Sequence, residues 1–154
     1  MICSRLLNEA VNEKGIYEPN EILEEVDKNI RIALKQDQDK NSDGMDICLI
    51  CIENENQNLR LKFCGAKRPL FYFSNQTAEL VELKADRRSI GGSGSLKNKV
   101  NFTTQEITVS SNDVIYLSTD GYTDQNNNLR KRLGTAKLTR IFKELGNKPL
   151  QEQK

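Results

Sequence analysis

The chain contains no histidine, carries almost no net charge and has no long apolar run. Each absence closes a class of function. Cys48 and Cys51 stand at a metal-like spacing, but no second pair and no histidine exist to complete a zinc site. Both lie in one apolar, strand-like run, where their side chains fall on opposite faces. The four cysteines, Cys3, Cys48, Cys51 and Cys64, are therefore expected as small buried thiols, and reduced thiols indicate the cytosol. With 23 Lys+Arg against 22 Asp+Glu, a net charge of +1 offers nucleic acid no basic surface. No segment is long enough to span a membrane, and no signal peptide is recognisable. Hydrophobic residues make up only 36%. The core is expected to be modest, with part of it supplied from outside this chain. A length of 154 residues fits one domain.

What is present divides by periodicity. Residues 1–35 read as two helices. The first carries Ile2, Leu6, Leu7, Ala10 and Val11 at helical spacing and closes at Gly15. The second starts at Pro19-Asn20, with Asn20 as N-cap, and bears a stripe of Ile22, Leu23, Val26, Ile30, Ala33 and Leu34. Polar Gln36–Asp43 is a loop. Residues 44–119 change to strand character. Met45–Glu53 and Leu59–Cys64 form a hairpin across Asn54–Asn58, and Leu70–Ser74 with Glu79–Lys84 form another around Asn75-Gln76. Arg87–Lys97 is a glycine-containing loop, and Lys99–Val109 an outer strand. Asn126–Asn128 is a polar turn. Residues 135–145 form a helix with Leu138, Ile141, Phe142 and Leu145 on one side, and the polar tail after Gly146 is expected to fray. Helices, then strands, then a helix imply antiparallel sheets covered by helices, with the Met45 and Val114 strands buried on both faces.

The most informative stretch is Asp113–Asp124. Val114–Ser118 reads as a buried strand. It ends in Thr119-Asp120-Gly121, where glycine permits a turn that other residues resist. A carboxylate fixed at the exit of a rigid strand is the type of oxygen ligand that a hard cation such as Mg²⁺ requires. An Asp-capped turn with no chemistry explains the same residues.

Four segments in order carry a resemblance: Asp43-Gly44-Met45-Asp46-Ile47-Cys48-Leu49, Gly65-Ala66-Lys67-Arg68-Pro69-Leu70, Ile90-Gly91-Gly92, and Tyr116–Asp124. Together with Leu133-Gly134 before a helix, they resemble SpoIIE-like protein phosphatases, of the metal-dependent type 2C (PPM) superfamily. The resemblance spans nearly the whole chain. It implies an α+β fold, an αββα sandwich of mainly antiparallel sheets with a metal centre at one end. It also implies hydrolysis of phosphoserine or phosphothreonine on a protein, using two Mg²⁺ or Mn²⁺ ions. Such ions lower the pKa of bound water and neutralise phosphoryl oxygens, so a site without histidine suffices. By the resemblance Asp120 is a metal ligand. Gly121, Asp124, Asp43 and Asp46 are candidate supports of the site, and Lys67 and Arg68 candidate substrate-facing cations. The family further implies bacterial signalling, with a phosphoprotein substrate such as an anti-sigma-factor antagonist.

The departures from the family pattern matter as much. An Asp-x-x-Gly-His-Gly turn, whose aspartate bridges both metals, is impossible in a chain without histidine, and the closing Asp-Asp-Ile/Met-Thr motif is missing. The chain thus reads as residues 1–154 of a partial domain, its middle and later part. One carboxylate does not hold two Mg²⁺ ions. The expectation is that this polypeptide alone binds metal weakly and is inactive, and that exposed sheet edges lead it to pair with a second copy. The alternative is a non-catalytic phosphatase-like module for regulation or protein interaction. A nucleotide site at Ile90-Gly91-Gly92-Ser93-Gly94 is disfavoured, because no Walker lysine follows and no strand-loop-helix order surrounds it.

Overall fold

The structure, a computed structural model, describes residues 2–36, 41–55, 58–92 and 100–153. Four layers stack in the order helices, sheet, sheet, helix. Helix α1 (Ile2–Asn8) runs into a π-helical turn (Glu9–Glu13), followed by α2 (Pro19–Ala33). A short strand β1 (Gly44–Met45) precedes the hairpin of β2 (Ile47–Glu55) and β3 (Asn58–Ala66), then that of β4 (Leu70–Ser74) and β5 (Glu79–Leu83). Next come β6 (Ile90–Gly91), β7 (Gln105–Val109), β8 (Val114–Tyr116), the single helical turn α3 (Asp120–Thr123) and α4 (Gly134–Gly146). Antiparallel β2-β3-β7 forms one sheet, β5-β4-β8 the second, and β1-β6 a two-stranded clip. This is the αββα sandwich expected from the sequence.

The two central strands explain the layering. In β3, Leu61 and Phe63 point at the second sheet and join Leu70, Cys48, Ile50 and Ile115 in an inter-sheet core. Their neighbours Cys64 and Ala66 point the other way, onto Leu6, Ile22, Leu23, Val26 and Ile30 of the helices. Alternation does the same in β4. Leu70 faces inward, while Phe71 packs on Phe142 of α4 and Phe73 on Gly146. Each fully buried Leu or Phe contributes about 1.5–3 kcal/mol. At Gly146 a Cβ would collide with the Phe73 ring, so α4 sits this close to the sheet only because the side chain is absent.

Cys48 and Cys51 part to opposite faces, Cys48 between the sheets and Cys51 toward the helices. All four thiols are free. Burial pushes the Cys48 thiol up to about 11 and, with nearby Asp86 and Glu24, the Cys64 thiol up to about 12. Among the described residues no helix is long and apolar enough to cross a membrane.

Several elements differ from expectation. Pro19 occupies the first turn of α2 with Glu18 as N-cap, and Asn20 lies one residue inside the helix. The Asn20 N–H and carboxamide oxygen instead both meet the Thr104 hydroxyl. Strands β2 and β8 lie at sheet edges, so their apolar runs are half-buried, although both faces of β2 pack. The outer strand covers only Gln105–Val109. Phe102 leaves the sheet to bury itself against the helices under the Arg88 guanidinium, 3.6 Å from its ring centroid. Beyond Gly146 the described residues of the tail, expected to fray, fold back toward β8. A 3₁₀ turn (Leu150–Glu152) brings Gln153 to accept a 3.0 Å hydrogen bond from the Tyr116 hydroxyl, whose ring stacks on Phe142. The central glycines of the loop after β6 lie partly outside the described residues.

A buried ionic cluster ties α2 to this end of the sandwich. Asp27, fully buried, accepts hydrogen bonds from Arg31 Nε (3.2 Å), the Gly91 N–H (2.6 Å) and Arg88 Nη1 (3.4 Å). Arg31 donates in turn to the carbonyls of Gly91 and Gly92 at 2.9 and 3.0 Å, and Arg88 pairs with Glu24. The cluster fixes β6. Strand β6 pairs with β1 through Gly91–Gly44 and Ile90–Met45, which sets the position of the next residue, Asp46.

Candidate functional site at the mouth between the sheets

Three backbone segments converge at one end of the sandwich. The strand exit Leu117–Asp120, the entry Gly44–Cys48 and the β3-β4 turn bearing Arg68 line a pocket of about 620 Å³. Gly65 makes the turn possible. A Cβ there would come within 2.5 Å of the Arg68 carbonyl and 2.7 Å of Ala85 and Phe63. Lys67 follows at φ +55°, held by its N–H to the Asp86 carbonyl at 2.8 Å, and the bend delivers Arg68 to the mouth.

Asp120 opens α3, with Thr119 as its extended N-cap residue. Its carboxylate, 62% exposed, accepts a 2.5 Å hydrogen bond from Arg68 Nη2. The same nitrogen lies 3.5 Å from Asp46 Oδ2, while the Ser89 hydroxyl donates to Asp46 Oδ1 at 2.6 Å. Two carboxylates, one between β1 and β2 and one at the start of α3, thus face one guanidinium. The structure brings Asp120, Asp46 and Arg68 together and places the other candidates elsewhere. Asp124 caps α3, its N–H bonding the Asp120 carbonyl at 2.8 Å and its carboxylate 3.5 Å from Arg132. Asp43 acts through its backbone, its carbonyl accepting from Gly92 N–H and Gln36 Nε2 at 3.1 and 2.6 Å. Lys67 lines a separate pocket of about 410 Å³ with Glu82, Lys84 and Arg87. Gly121 takes ordinary helical geometry rather than a left-handed turn, because the chain continues into α3.

Two features escaped the sequence reading. Arg68 bridges the two acids, and nothing in the one-dimensional pattern pairs it with residues 22 and 52 positions away. The Asp27–Arg31 pair stands at i,i+4 on α2, a visible spacing, but its burial depends on Arg88 and Gly91 arriving from far along the chain.

Layering and mouth together define a PP2C-type phosphatase fold. The solved SiaA-PP2C domain of Pseudomonas aeruginosa matches with a TM-score of 0.79 and 27% sequence identity, over 99% of this chain. The present chain covers 56% of that one. No curated protein gives a match. The family model for Stage II sporulation protein E (SpoIIE) matches residues 2–154, and the chain belongs to that family.

The family is generally Mg²⁺- or Mn²⁺-dependent. Aspartate oxygens are the right donors for such hard cations. Among the described residues, however, no group of three acidic or thiol side chains is placed to hold a metal, and Arg68 already lies between the two carboxylates. These residues fit part of one cation's oxygen cage and do not fit the donor set of a two-ion centre.

Proposed function

We propose that this chain is part of a phosphoserine/phosphothreonine protein phosphatase domain of bacterial signalling and that the polypeptide alone does not turn over. The observation that carries this reading is the convergence of Asp120 and Asp46 at the mouth of a SpoIIE-family sandwich. In the complete domain Asp120, with Asp46 beside it, would hold part of the cage of a Mg²⁺ or Mn²⁺ ion, whose chemistry would be to activate water and offset phosphoryl charge. This chain's own contribution is anchoring. Strand β8 and the α3 turn hold Asp120, the clip and Ser89 hold Asp46, and Gly65 lets Arg68 reach both. Asp124 and the backbone of Asp43 support the flanking turns, and Lys67 offers a cation toward an approaching phosphoprotein, with an anti-sigma-factor antagonist as the partner class.

The test is phosphate release from a phosphoserine protein by the gene product that carries this chain, with Mn²⁺. Asp120→Asn is expected to lower the rate by at least about 100-fold, since even residues behind metal ligands cost 10–100-fold. An unchanged rate would remove Asp120 from the site. For the isolated chain no release is expected, and turnover abolished by the same substitution would contradict its inactivity.

The shortage of metal-holding side chains among the described residues favours a second reading, a phosphatase-like module that binds partners without chemistry. Absence of hydrolysis by the whole gene product, with phosphoprotein binding retained, would establish it. We also propose self-association through the terminal strands β2 and β5, where Ile52 and Val81 are exposed. Light scattering that gives monomer mass at all concentrations would exclude it.

A further inference from the structure

Charge is unevenly spread along this chain. Residues 129–148 carry seven of the 23 Lys and Arg but one of the 22 Asp and Glu, Glu144. The near-neutral total thus conceals a basic strip and an acidic remainder. We propose that this strip, from the hairpin after α3 along the outer face of α4, docks a segment of the phosphoprotein rich in glutamate and aspartate. The proposal rests on the phosphatase reading only in naming the partner a phosphoprotein.

The hairpin at residues 125–133 is held by its own hydrogen bonds. Asn127 Oδ1 accepts from the N–H groups of Leu129 and Lys131, both at 2.9 Å, and the Arg130 N–H donates to the Asn127 carbonyl at 2.8 Å. The Leu133 N–H closes the base on the Gln125 carbonyl at 2.8 Å. Arg130 stands near the tip at φ +56°, where glycine or asparagine would be under less strain. The backbone therefore gives no reason for a cation there. Leu129 beside it is 76% exposed, so the tip offers an apolar contact next to its charges.

Helix α4 continues the strip. Leu138 is buried, and Phe142 turns inward onto Phe71 and Tyr116. Lys137, Arg140 and Lys143 recur every third residue on the opposite, exposed side.

The cations of the strip lack the partners that cations elsewhere have. Lys14 pairs with Glu9 and Glu25, Lys62 with Glu18 and Glu53, and Arg88 with Glu24 and Asp27. Among the described residues, Arg130, Lys131, Lys137 and Lys143 have no ion-pair partner. Arg132 and Arg140 make only long contacts, 3.5 Å to Asp124 and 3.4 Å to Glu144, exposed on both sides and weak in water.

Position selects the occupant. The Asp124 N–H bonds the Asp120 carbonyl, and the hairpin starts at the next residue, so the strip begins beside the mouth. Helix α4 then runs away from the mouth alongside β4, since Phe142 meets Phe71 and Gly146 meets Phe73. A phosphorylated residue at the mouth would place its neighbouring residues over the strip. Carboxylates among those neighbours would complement the unpaired cations and steer the encounter.

The experiment follows the fluorescence anisotropy of a labelled, unphosphorylated peptide alternating glutamate and serine, titrated with the full chain. Binding is expected, weakening as salt rises, and the glutamine counterpart of the peptide should not bind. The triple variant Arg130→Asn, Lys131→Gln, Lys137→Gln should bind the acidic peptide about tenfold more weakly, the sum of three exposed charge contacts. Asparagine at 130 suits the left-handed backbone, and all three side chains are exposed, so the fold should be retained. A second triple, Arg5→Gln, Lys28→Gln, Lys35→Gln, removes the same charge from the helical layer on the other side and should bind like the unsubstituted chain. No binding, or equal losses in the two triples, would overturn the proposal. So would sedimentation with phosphatidylserine vesicles that the first triple abolishes while peptide affinity stays unchanged, which would assign the strip to a membrane. The peptide carries no phosphate and no turnover is read. Failure here therefore leaves the phosphatase reading intact, and failure of phosphate release leaves the docking strip standing.

Discussion

Two arginine–aspartate clusters stand at the same end of this molecule and do opposite things. Around Asp27, two guanidinium groups and the Gly91 N–H enclose a carboxylate that water does not reach. At the mouth, Arg68 joins Asp46 and Asp120 in view of solvent. The chemistry of the groups is shared, and burial separates their roles. A charge sealed in low dielectric must stay paired, so the Asp27 cluster commits α2 and the β1-β6 clip to one arrangement. A pair in water can trade partners at little expense, which is what a binding mouth requires.

The largest effect should come from breaking the sealed cluster. Asp27→Ala removes the buried carboxylate that Arg31, Arg88 and the Gly91 N–H share and is expected to destabilise the fold by about 3–5 kcal/mol. A loss below about 1 kcal/mol in urea unfolding would show that the cluster is not the anchor described.

An intermediate case sits at the opposite end of β8. The Asp113 carboxylate accepts from the Tyr72 hydroxyl at 2.6 Å and from the N–H groups of Ser110 and Asn75 at 2.7 and 2.8 Å. Burial acts to raise this carboxyl, but the hydrogen bonds from Tyr72, Ser110 and Asn75 outweigh it and hold it below its ordinary value. A carboxyl depressed in the folded state stabilises above its unfolded value and loses that contribution as pH falls through the folded one. Asp113→Asn is therefore expected to lose about 1–2 kcal/mol at pH 7. The gap to the unsubstituted chain should close below about pH 4, as thermal unfolding across pH would show. A gap constant with pH would assign the effect to packing instead.

The smallest change is expected at the mouth. Arg68→Gln should alter stability by no more than about 1 kcal/mol, because its ion pairs are partly hydrated. A loss as large as that of Asp27→Ala would erase the distinction between the two clusters.

The legible parts of this chain were those with local causes. The stripe Ile22, Leu23, Val26 and Ile30 fixed a helix, and the turn residues fixed both hairpins. Asp120 stood out because an apolar strand delivered it. What stayed hidden depended on sheet order. The runs at Ile47–Ile52 and Val114–Leu117 look like central strands, yet the centre belongs to β3 and β4. Strand β3 disguises itself with Lys62, whose stem is buried while its ammonium pairs with Glu18 at 2.6 Å and Glu53 at 2.9 Å. Donating hydrogen bonds to these glutamates raises the Lys62 pKa and keeps the charge in place. Phe102 escaped its expected strand because the Arg88 guanidinium and the helical core offered it a better-covered position. Arg68 was visible as a cation but not as a bridge, since its aim is set by the left-handed Lys67 before it.

The stacked pair Tyr116 and Phe142 has a spectroscopic consequence. Their rings lie 4.3 Å apart and nearly parallel, and the Tyr116 phenol is latched to Gln153. With no indole anywhere in the chain, a single tryptophan placed at Phe142 would be its sole long-wavelength emitter. Its colour would then report whether the closing segment remains seated on the β5-β4-β8 sheet when a ligand enters the mouth.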